Sequence, residues 1–225
     1  MANYIVTGAS RGIGEALVRE MRSAGHQVLA LARNESSLAR LAEETGCSYW
    51  PFDLSRQDTE GLQRILKSWN GLDGIVHNAG TLVNKPFLEL SREEVLHVYE
   101  VNVLSAFELF KTVLPFVNRG GHLVAIGSMG GLNGSVKFAG LSAYSSSKAA
   151  LGVLMECLQA EFGDRDWAFN ALALGAVSTE MLQQAFPGYE APVVPEQMAA
   201  FILKFILSGH QVIRGKVLPI SLSNP

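Results

Sequence analysis

Short apolar runs alternate along the chain with longer segments in which apolar residues recur with the period of a helix. The short runs consist almost entirely of Val, Ile, Leu and Ala, which is typical of strands that are covered on both faces of a sheet. Runs of this kind occupy positions 4–7, 27–32, 48–52, 74–77, 122–127, 168–173 and 216–221. We predict that each of them is a strand.

The segments between these runs carry helical faces, such as the apolar stripe of Ile13, Leu17 and Met21. Strands that alternate with helices form parallel βαβ units, and right-handed crossovers then give a sheet with helices on both sides. The chain has no internal repeat and no low-complexity linker. We therefore predict a single α/β domain over residues 1–225, with a doubly wound, mostly parallel, seven-stranded sheet of the Rossmann type.

A glycine-rich turn follows the first predicted strand. Gly8, Gly12 and Gly14 lie between that strand and the first helical segment. In such a turn, glycines permit unusual dihedrals, let the backbone approach a pyrophosphate, and let the helix pack closely on the sheet. The helix N-terminus then directs free N–H groups and its positive dipole end at the phosphates. Because the triplet stands after a strand and opens a helix, it predicts a dinucleotide site more strongly than a lone glycine triplet would.

Two arginines bear on which dinucleotide is bound. Arg11 lies within the turn, and Arg33 follows the second strand, where this type of fold meets the adenosine ribose. That strand end offers no carboxylate for the 2′-hydroxyl of NAD, whereas arginine suits a 2′-phosphate. The pattern favours NADP, as NADPH, over NAD. The alternative is that both arginines are simply solvated surface charges.

Tyr144 and Lys148 are four residues apart, so they share a face if the segment of about 143–162 is a helix. An ammonium at about 4 Å attracts a phenolate by on the order of 4 kcal/mol, which predicts a lowered phenol pKa. Ser128 follows the strand at 122–127 and should lie at the carboxyl edge, where it can donate to a carbonyl oxygen. The set predicts proton transfer to a carbonyl compound.

Composition and charge exclude several other classes of protein. The 225 residues are 48% apolar with a net charge of −3, so the chain is globular, and binding to nucleic acid or a membrane surface is not expected. The first residues enter a strand directly and no apolar run reaches about 18 residues, so we expect no signal peptide or membrane span and a cytoplasmic location. Histidines and cysteines lack ligand spacing, so no metal site is expected.

These motifs, in this order, resemble the short-chain dehydrogenases/reductases in their single-domain classical form, over nearly the whole chain. The residues from Thr7 to Gly14 are similar to the family's cofactor motif, and Asp53 resembles its adenine-binding aspartate. Residues 77–80 resemble the stretch over the adenine ribose, and 175–179 the segment beside the nicotinamide carboxamide. The resemblance implies a cofactor-binding set of Gly8, Ser10, Arg11, Gly12, Ile13, Gly14, Arg33, Asp53, Leu54, Asn78, Ala79, Gly80, Tyr144, Lys148, Gly175, Val177 and Thr179.

The catalytic residues that the resemblance implies are Asn102, Ser128, Tyr144 and Lys148. In the family, the asparagine holds a water in a proton relay to the lysine. The expected activity is NADPH-dependent reduction of a ketone or aldehyde, with Tyr144 as general acid/base. The family also forms dimers and tetramers, so a homodimer or homotetramer is expected.

The chain departs from the family pattern at several places. His77 replaces an asparagine of the ribose stretch, and Leu174 stands where proline usually precedes Gly175. The spacing between Ser128 and Tyr144 is longer than usual, so Ser135 and Ser142 remain alternatives to Ser128. The family's substrate lid corresponds to about 179–195 and is short here. A short lid implies a pocket that is open to bulky apolar ketones or is completed by another subunit.

Two other functional hypotheses remain open at this level. One is a dinucleotide-binding redox sensor or regulator without turnover, which could tolerate the loss of Tyr144 or Lys148. The other is an NAD-dependent alcohol dehydrogenase, which Arg33 disfavours. Both alternatives differ from the leading hypothesis, in which the partner is a small-molecule carbonyl substrate.

Overall fold

Seven strands of the described chain form a parallel sheet in the order β3-β2-β1-β4-β5-β6-β7. The structure is a computed structural model that describes residues 1–55 and 59–222. The strands are β1 (Asn3–Thr7), β2 (Gln27–Ala32), β3 (Ser48–Pro51), β4 (Leu72–His77), β5 (Val117–Ser128), β6 (Ala168–Leu174) and β7 (Lys216–Ile220). The predicted Rossmann fold with its doubly wound sheet is confirmed.

The helices cover both faces of this sheet. They are α1 (Gly12–Ser23), α2 (Glu35–Thr45), α3 (Thr59–Lys67), α4 (Arg92–Tyr99), α5 (Ser105–Val113), α6 (Ser142–Glu161), α7 (Glu180–Ala185) and α8 (Pro195–Ser208). A π-helical turn (Glu100–Leu104) joins α4 to α5, and short 3₁₀ turns stand at Phe87–Glu89, Leu114–Phe116, Met129–Gly131, Gly163–Arg165 and Gly209–Gln211.

Local sequence explains where several helices begin and end. The Asn34 side chain accepts a hydrogen bond from the Ser37 N–H at the start of α2, and Gly46 ends that helix with a φ of 68°. Ser91 and Glu94 form a reciprocal capping box at the start of α4. Capping of this kind satisfies N–H groups that have no partner within the helix.

The strands read as continuous apolar runs because both of their faces are buried. Ile5 and Val6 are adjacent in β1 and both fully buried, yet they belong to two different cores. The core around Val6 includes residues of α1, α2 and α8, and the core around Ile5 includes residues of α3, α5 and α6. Successive residues of a strand point to opposite faces, which divides the apolar run between the two cores.

Two strands begin two or more residues earlier than the sequence pattern predicts. β4 starts at Leu72 and β5 at Val117, where the predictions were 74 and 122. Leu72 pairs with Val117, and the register then shifts before Gly74 pairs with His122. The early part of β5 contains Asn118 and Arg119 and glycines, so the apolar pattern that marks a buried strand is missing there.

A buried polar network joins the amino-terminal ends of β5, β6 and β7. The Asn170 side-chain amide lies 3.0 Å from Nε2 of His122 and also donates to the carbonyl of Ile213 at 3.0 Å. Its oxygen accepts from the Lys216 N–H at 3.1 Å, and Nδ1 of His122 lies 3.0 Å from the Ile206 carbonyl oxygen. Asn170 therefore holds strands together at the edge of the sheet away from the glycine-rich turn.

The order of strands reverses at β1, which lies between β2 and β4. In open parallel sheets this switch leaves a crevice at the carboxyl ends of the strands, and ligands bind there. The residues that follow β1, β4, β5 and β6 are Gly8, Asn78, Met129 and Gly175, so most of the predicted site residues fall at this edge. Within residues 1–55 and 59–222, no helix combines the length and the apolar character that a membrane span requires.

Candidate active site

A cleft of about 1020 Å³ opens at the carboxyl edge of the sheet. It runs from the glycine-rich turn, past the ends of β2 and β3, to the start of α6 and the segment around α7. Of the predicted cofactor residues, the lining includes Gly8, Ser10, Arg11, Gly12, Ile13, Arg33, Asp53, Leu54, Asn78, Ala79, Gly80, Tyr144, Lys148, Gly175, Val177 and Thr179. Sequence reasoning thus identified residues that the fold brings to one cleft.

The glycine-rich turn has the geometry of a phosphate cradle. Gly8 has a φ of 67°, and a Cβ there would lie 2.9 Å from the Cα of Ala79. A Cβ on Gly14 would collide with the carbonyl oxygen of Gly8, so Gly14 serves packing and does not line the cleft. No side chain caps the N-terminus of α1, which leaves its first N–H groups available to an anion. The turn therefore fits the pyrophosphate of a dinucleotide.

The residues that follow β4 are hydrogen-bonded to the glycine-rich turn. The Asn78 side-chain amide donates to the carbonyl oxygens of Thr7 at 3.1 Å and Gly8 at 3.4 Å. The Ala79 N–H donates to the Thr7 hydroxyl at 3.0 Å. His77 is fully buried, with Nδ1 3.3 Å from the same hydroxyl. These contacts set the shape of the cleft where the adenosine half of a dinucleotide would lie.

Cationic side chains gather at the end of β2. Arg33 is exposed at the cleft and has no ionic or hydrogen-bonding partner among the described residues. Ser37 and Arg40 also line the cleft, and Arg40 approaches Glu15 at 3.7 Å. Arg11 instead forms an ion pair with Glu180, the first residue of α7.

Asp53 lines the same half of the cleft. Its Oδ1 accepts hydrogen bonds from the Ser55 N–H at 3.0 Å and the Ser55 hydroxyl at 2.8 Å. These bonds hold the carboxylate in the turn after β3. Leu54, beside it, is buried and packs in the same core as Ile5.

Ser128, Tyr144 and Lys148 meet at the other end of the cleft. Tyr144 and Lys148 lie in the first two turns of α6, which begins at Ser142 as the sequence pattern predicts. The Ser128 hydroxyl lies beside the phenol of Tyr144, close enough to affect its pKa. Nζ of Lys148 lies 6.0 Å from the centre of the Tyr144 ring and donates to the Ile126 carbonyl at 2.9 Å. A proton donor, a hydroxyl and a buried ammonium therefore share one pocket.

The pKa values of this group differ from the expectation based on sequence. Burial raises the pKa of the Tyr144 phenol, and the neighbouring Ser128 hydroxyl opposes that rise. Burial also lowers the pKa of Lys148 to about 8. The expected lowering of the phenol pKa by Lys148 is wrong for these residues, because Lys148 lies near the ring face and bonds the backbone.

Asn102 does not line the cleft. It is fully buried in the π-helical turn, a distortion that is frequent at functional sites. Its amide donates to the Thr81 carbonyl and to the Ser147 hydroxyl, both at 2.9 Å, and its oxygen accepts from the Thr81 N–H at 2.8 Å. Ser147 in turn donates to the Tyr144 carbonyl at 2.7 Å. The Asn102 side chain thus joins the loop after β4 to the helix that carries Tyr144.

Space for Lys148 depends on a glycine. A Cβ on Gly80 would lie 3.1 Å from Nζ of Lys148 and 3.2 Å from Oδ1 of Asn102. The absence of a side chain at Gly80 therefore leaves space next to both Lys148 and Asn102.

The alternative serines lie elsewhere. The Ser135 hydroxyl donates to the carbonyls of Met129 and Leu132 within its own loop. Ser142 is exposed on the first turn of α6. Neither residue lines the cleft, whereas Ser128 does.

An apolar wall stands above Tyr144. Phe138, in the loop after β5, makes an edge contact with Phe186 just after α7, with ring centres 5.0 Å apart. The other members of this cluster are Leu82, Leu141, Tyr144, Met181 and Ala185. The loop that lengthens the spacing between Ser128 and Tyr144 therefore supplies part of the wall.

The segment that leads to α7 is tied to the sheet. The Gly175 N–H donates to the Ile220 carbonyl at 2.9 Å, and Val177 is buried in the core next to α8. Thr179 caps α7 by accepting from the Leu182 N–H at 3.2 Å. Leu174, in place of the usual proline, is buried as the last residue of β6.

Sequence reasoning missed Ser37, Arg40, Ser147 and Glu180. Ser37 and Arg40 are three apart on α2, directly after Arg33, so helical spacing could have placed them at the same corner. Nothing in the local pattern connects Glu180 with Arg11, which lies 169 positions away. Among the residues that the structure describes, no group of three or more His, Cys, Asp or Glu side chains is arranged to hold a metal ion.

Comparisons with known proteins agree with this geometry. The 3-oxoacyl-[acyl-carrier-protein] reductase FabG of Vibrio cholerae is 30% identical over 183 residues, which are 79% of this chain and 74% of that protein. Carbonyl reductase [NADPH] 2 of Sus scrofa is 31% identical over 79% of this chain and 72% of its own. A short chain dehydrogenase of Escherichia coli CFT073, crystallised with NADPH, superposes with a TM-score of 0.86, 29% identity and coverage of 97% and 95% of the two chains.

The family model for short chain dehydrogenases matches residues 2–190. The matched region contains the cradle, the serine, the tyrosine and the lysine that converge on the cleft. The chain therefore belongs to the short-chain dehydrogenase family of oxidoreductases.

Proposed function

We propose that this protein is an NADPH-dependent reductase that converts a ketone or aldehyde into an alcohol. The observation that carries the proposal is the convergence of Ser128, Tyr144 and the buried Lys148 on one cleft. These residues share a cleft with an uncapped helix N-terminus that suits a pyrophosphate. When bound, NADPH supplies the hydride that reduces the carbonyl carbon.

Tyr144 is the proton donor in this proposal. Its pKa is raised by burial, so the phenol keeps its proton at neutral pH and can donate it to the carbonyl oxygen. Ser128 is within reach of the phenol oxygen and can donate a hydrogen bond to the same substrate oxygen. Both donors favour the state in which negative charge develops on that oxygen.

Lys148 is proposed to return a proton toward the phenolate that remains after the transfer. Its buried ammonium lies 6.0 Å from the centre of the Tyr144 ring, and its pKa, lowered to about 8 by burial, suits proton transfer near neutral pH. We propose that Asn102 positions the residues around Lys148. It acts through its hydrogen bonds to Thr81 and Ser147 and through the loop that contains Gly80. A water held between Asn102 and Lys148 would complete the relay that the family resemblance implies.

The cofactor assignment rests on two features of the cleft. The glycine-rich turn and α1 would hold the pyrophosphate, and residues 78–80 and 175–179 would border the two ribose halves. Arg33, with Ser37 and Arg40, would bind the 2′-phosphate that distinguishes NADP from NAD. The relative from Escherichia coli that was crystallised with NADPH supports this choice.

The substrate side of the cleft favours an apolar carbonyl compound. The wall formed by Phe138, Met181 and Phe186 can cover apolar surface beside Tyr144. We propose that residues 179–195 form the substrate lid of a single catalytic domain. We further propose a homodimer or homotetramer, as expected for the family, and a cytoplasmic location.

The test is oxidation of NADPH in the presence of a panel of carbonyl compounds, from small hydroxy-ketones to bulky apolar ketones. Tyr144→Phe should bind NADPH nearly as well as wild type and turn over at least on the order of 10²-fold more slowly. Tyr49→Phe is the matched control, because Tyr49 lies on β3 and does not line the cleft. Full activity of Tyr144→Phe would contradict the mechanism.

The same screen separates the competing hypotheses. A regulator would bind NADPH without oxidising it with any carbonyl compound, and such a protein has no need of the intact group of Ser128, Tyr144 and Lys148. An NAD-dependent alcohol dehydrogenase would oxidise alcohols with NAD and would leave Arg33 without a phosphate to bind.

A further inference from the structure

Arg11 is already bound to another residue of the protein at the mouth of the cleft. Its guanidinium forms an ion pair with the carboxylate of Glu180, the first residue of α7. Both side chains line the cleft and are exposed, by 64% and 70%. The pair joins the glycine-rich turn to the start of the proposed lid, across the region where a dinucleotide would enter.

A carboxylate and a phosphate compete for the same donor. Both accept charge-assisted hydrogen bonds from guanidinium N–H groups. Arg33 differs from Arg11, because Arg33 has no such partner in the described parts of the chain. An incoming 2′-phosphate would therefore find Arg33 available and Arg11 held by Glu180.

We propose that Glu180 is a cofactor-selectivity residue, which competes with the 2′-phosphate of NADPH for Arg11. The inference rests on the proposed function, since it takes NADPH as the cofactor. Binding of NADPH then transfers Arg11 from Glu180 to the phosphate and separates α7 from the glycine-rich turn. NADH, which lacks the phosphate, leaves the ion pair in place.

The far end of α7 has its own anchors. The Asn84 side-chain amide donates to the Ala185 carbonyl at 2.8 Å, and Phe186 packs on Phe138. Loss of the ion pair therefore frees only the amino-terminal end of the helix, next to its cap at Thr179.

The experiment measures dissociation constants of NADPH and NADH for wild type and Glu180→Gln at low ionic strength. We expect NADPH to bind the variant about two- to fivefold more tightly, the factor that corresponds to an exposed ion pair. Binding of NADH should stay unchanged. The gain should shrink as salt is added, because exposed charges are screened.

Three control variants make the result specific. Glu196→Gln removes the same charge from the exposed start of α8, outside the lid segment and the cleft, and should leave both constants unchanged. In an Arg11→Ala background, Glu180→Gln should have no effect on NADPH binding. In an Arg33→Ala background its effect should persist, because Arg33 does not contact Glu180.

The outcomes distinguish this inference from the proposed function. If wild type binds NADH as tightly as NADPH, the cofactor assignment fails, and the inference fails with it. If wild type prefers NADPH but Glu180→Gln leaves that affinity unchanged or weakens it, only the inference is overturned. A gain that survives in the Arg11→Ala background also overturns it.

Discussion

The hydroxyl of Ser128 lies beside the phenol of Tyr144, although sixteen positions and a glycine-containing loop separate the two residues in the sequence. Ser128 is the last residue of β5, and Tyr144 lies in the first turn of α6. The intervening loop packs so tightly on the helix that a Cβ on Gly131 would lie 2.8 Å from the Ala149 nitrogen. The longer loop therefore adds to the apolar wall without displacing the serine.

Ser128→Ala should slow turnover by about 10- to 10²-fold, because the substrate oxygen loses the hydrogen bond that the Ser128 hydroxyl would donate. The Ser128 hydroxyl opposes the rise of the Tyr144 pKa, so the variant's phenol should titrate at a higher pH than in wild type. Steady-state rates with NADPH across the alkaline range measure both effects.

Ser135→Ala and Ser142→Ala are matched controls for that experiment. Neither serine lines the cleft, and both changes remove one hydroxyl from the same region of the chain. Their turnover should equal that of wild type. If either control lost most of its turnover while Ser128→Ala stayed active, the serine changed in that control would be the hydrogen-bond donor to the substrate.

Lys148→Met should stabilise the folded protein and abolish most of its turnover. The pKa of buried Lys148 falls from 10.5 to about 8, which corresponds to roughly 3 kcal/mol at about 1.36 kcal/mol per pH unit. The unfolded chain binds this proton more tightly between the two values, so wild-type stability rises with pH across that window. Methionine has a similar length and carries no charge to desolvate.

Denaturant unfolding at about pH 7 and about pH 10 checks this prediction. The variant should exceed wild type in unfolding free energy at the lower pH, and its advantage should shrink by about 2 to 3 kcal/mol at the higher pH. Lys204→Met on exposed α8 surface is the control, with no such change. An advantage that is independent of pH would show that the lysine carries no desolvation cost.

The sequence predicts the positions of those site residues that are set by local pattern and by the order of the strands. Gly8, Ser128 and Tyr144 follow directly from strand ends and helical spacing, and the fold brings them to one cleft. Contacts between distant segments could not be read in this way. The direction of the Tyr144 pKa depends on burial and on where Lys148 points, and the partner of Arg11 depends on how α7 packs. Such features arise only in the folded chain.

His77→Asn, which places the usual family residue in the ribose stretch, should make the protein less sensitive to acid. His77 is fully buried, and burial, with a smaller effect of Lys148, lowers its pKa from 6.5 to about 3. As pH falls below about 6.5, His77 becomes protonated in the unfolded chain and stays neutral in the folded chain. The folded state therefore loses stability relative to the unfolded state. Between about pH 6.5 and 4.5 the loss amounts to roughly 2 kcal/mol.

The measurement is the slope of unfolding free energy against pH for wild type and variant. The slope should be smaller in His77→Asn, while His122, with a pKa lowered to about 4 by burial, contributes equally to both proteins. His97→Asn on the exposed face of α4 serves as control and should keep the wild-type slope. Identical slopes for wild type and His77→Asn would show that His77 accepts a proton in the folded state.

Arg33→Ala should reduce the preference for NADPH over NADH. Arg33 is exposed at the cleft beside Ser37 and Arg40, where a 2′-phosphate would lie. A charge-assisted hydrogen bond contributes about 1.5–3 kcal/mol, and 1.4 kcal/mol is a factor of ten, so the KM for NADPH should rise about tenfold or more. The KM for NADH should change little. Because these contacts are ionic and partly exposed, the wild-type preference should also weaken as salt rises.

Arg92→Ala, on α4 and outside the cleft, removes the same charge and should leave both constants unchanged. If wild type uses NADH as well as NADPH at low salt, or if Arg33→Ala keeps its discrimination, the arginines do not set the choice of cofactor.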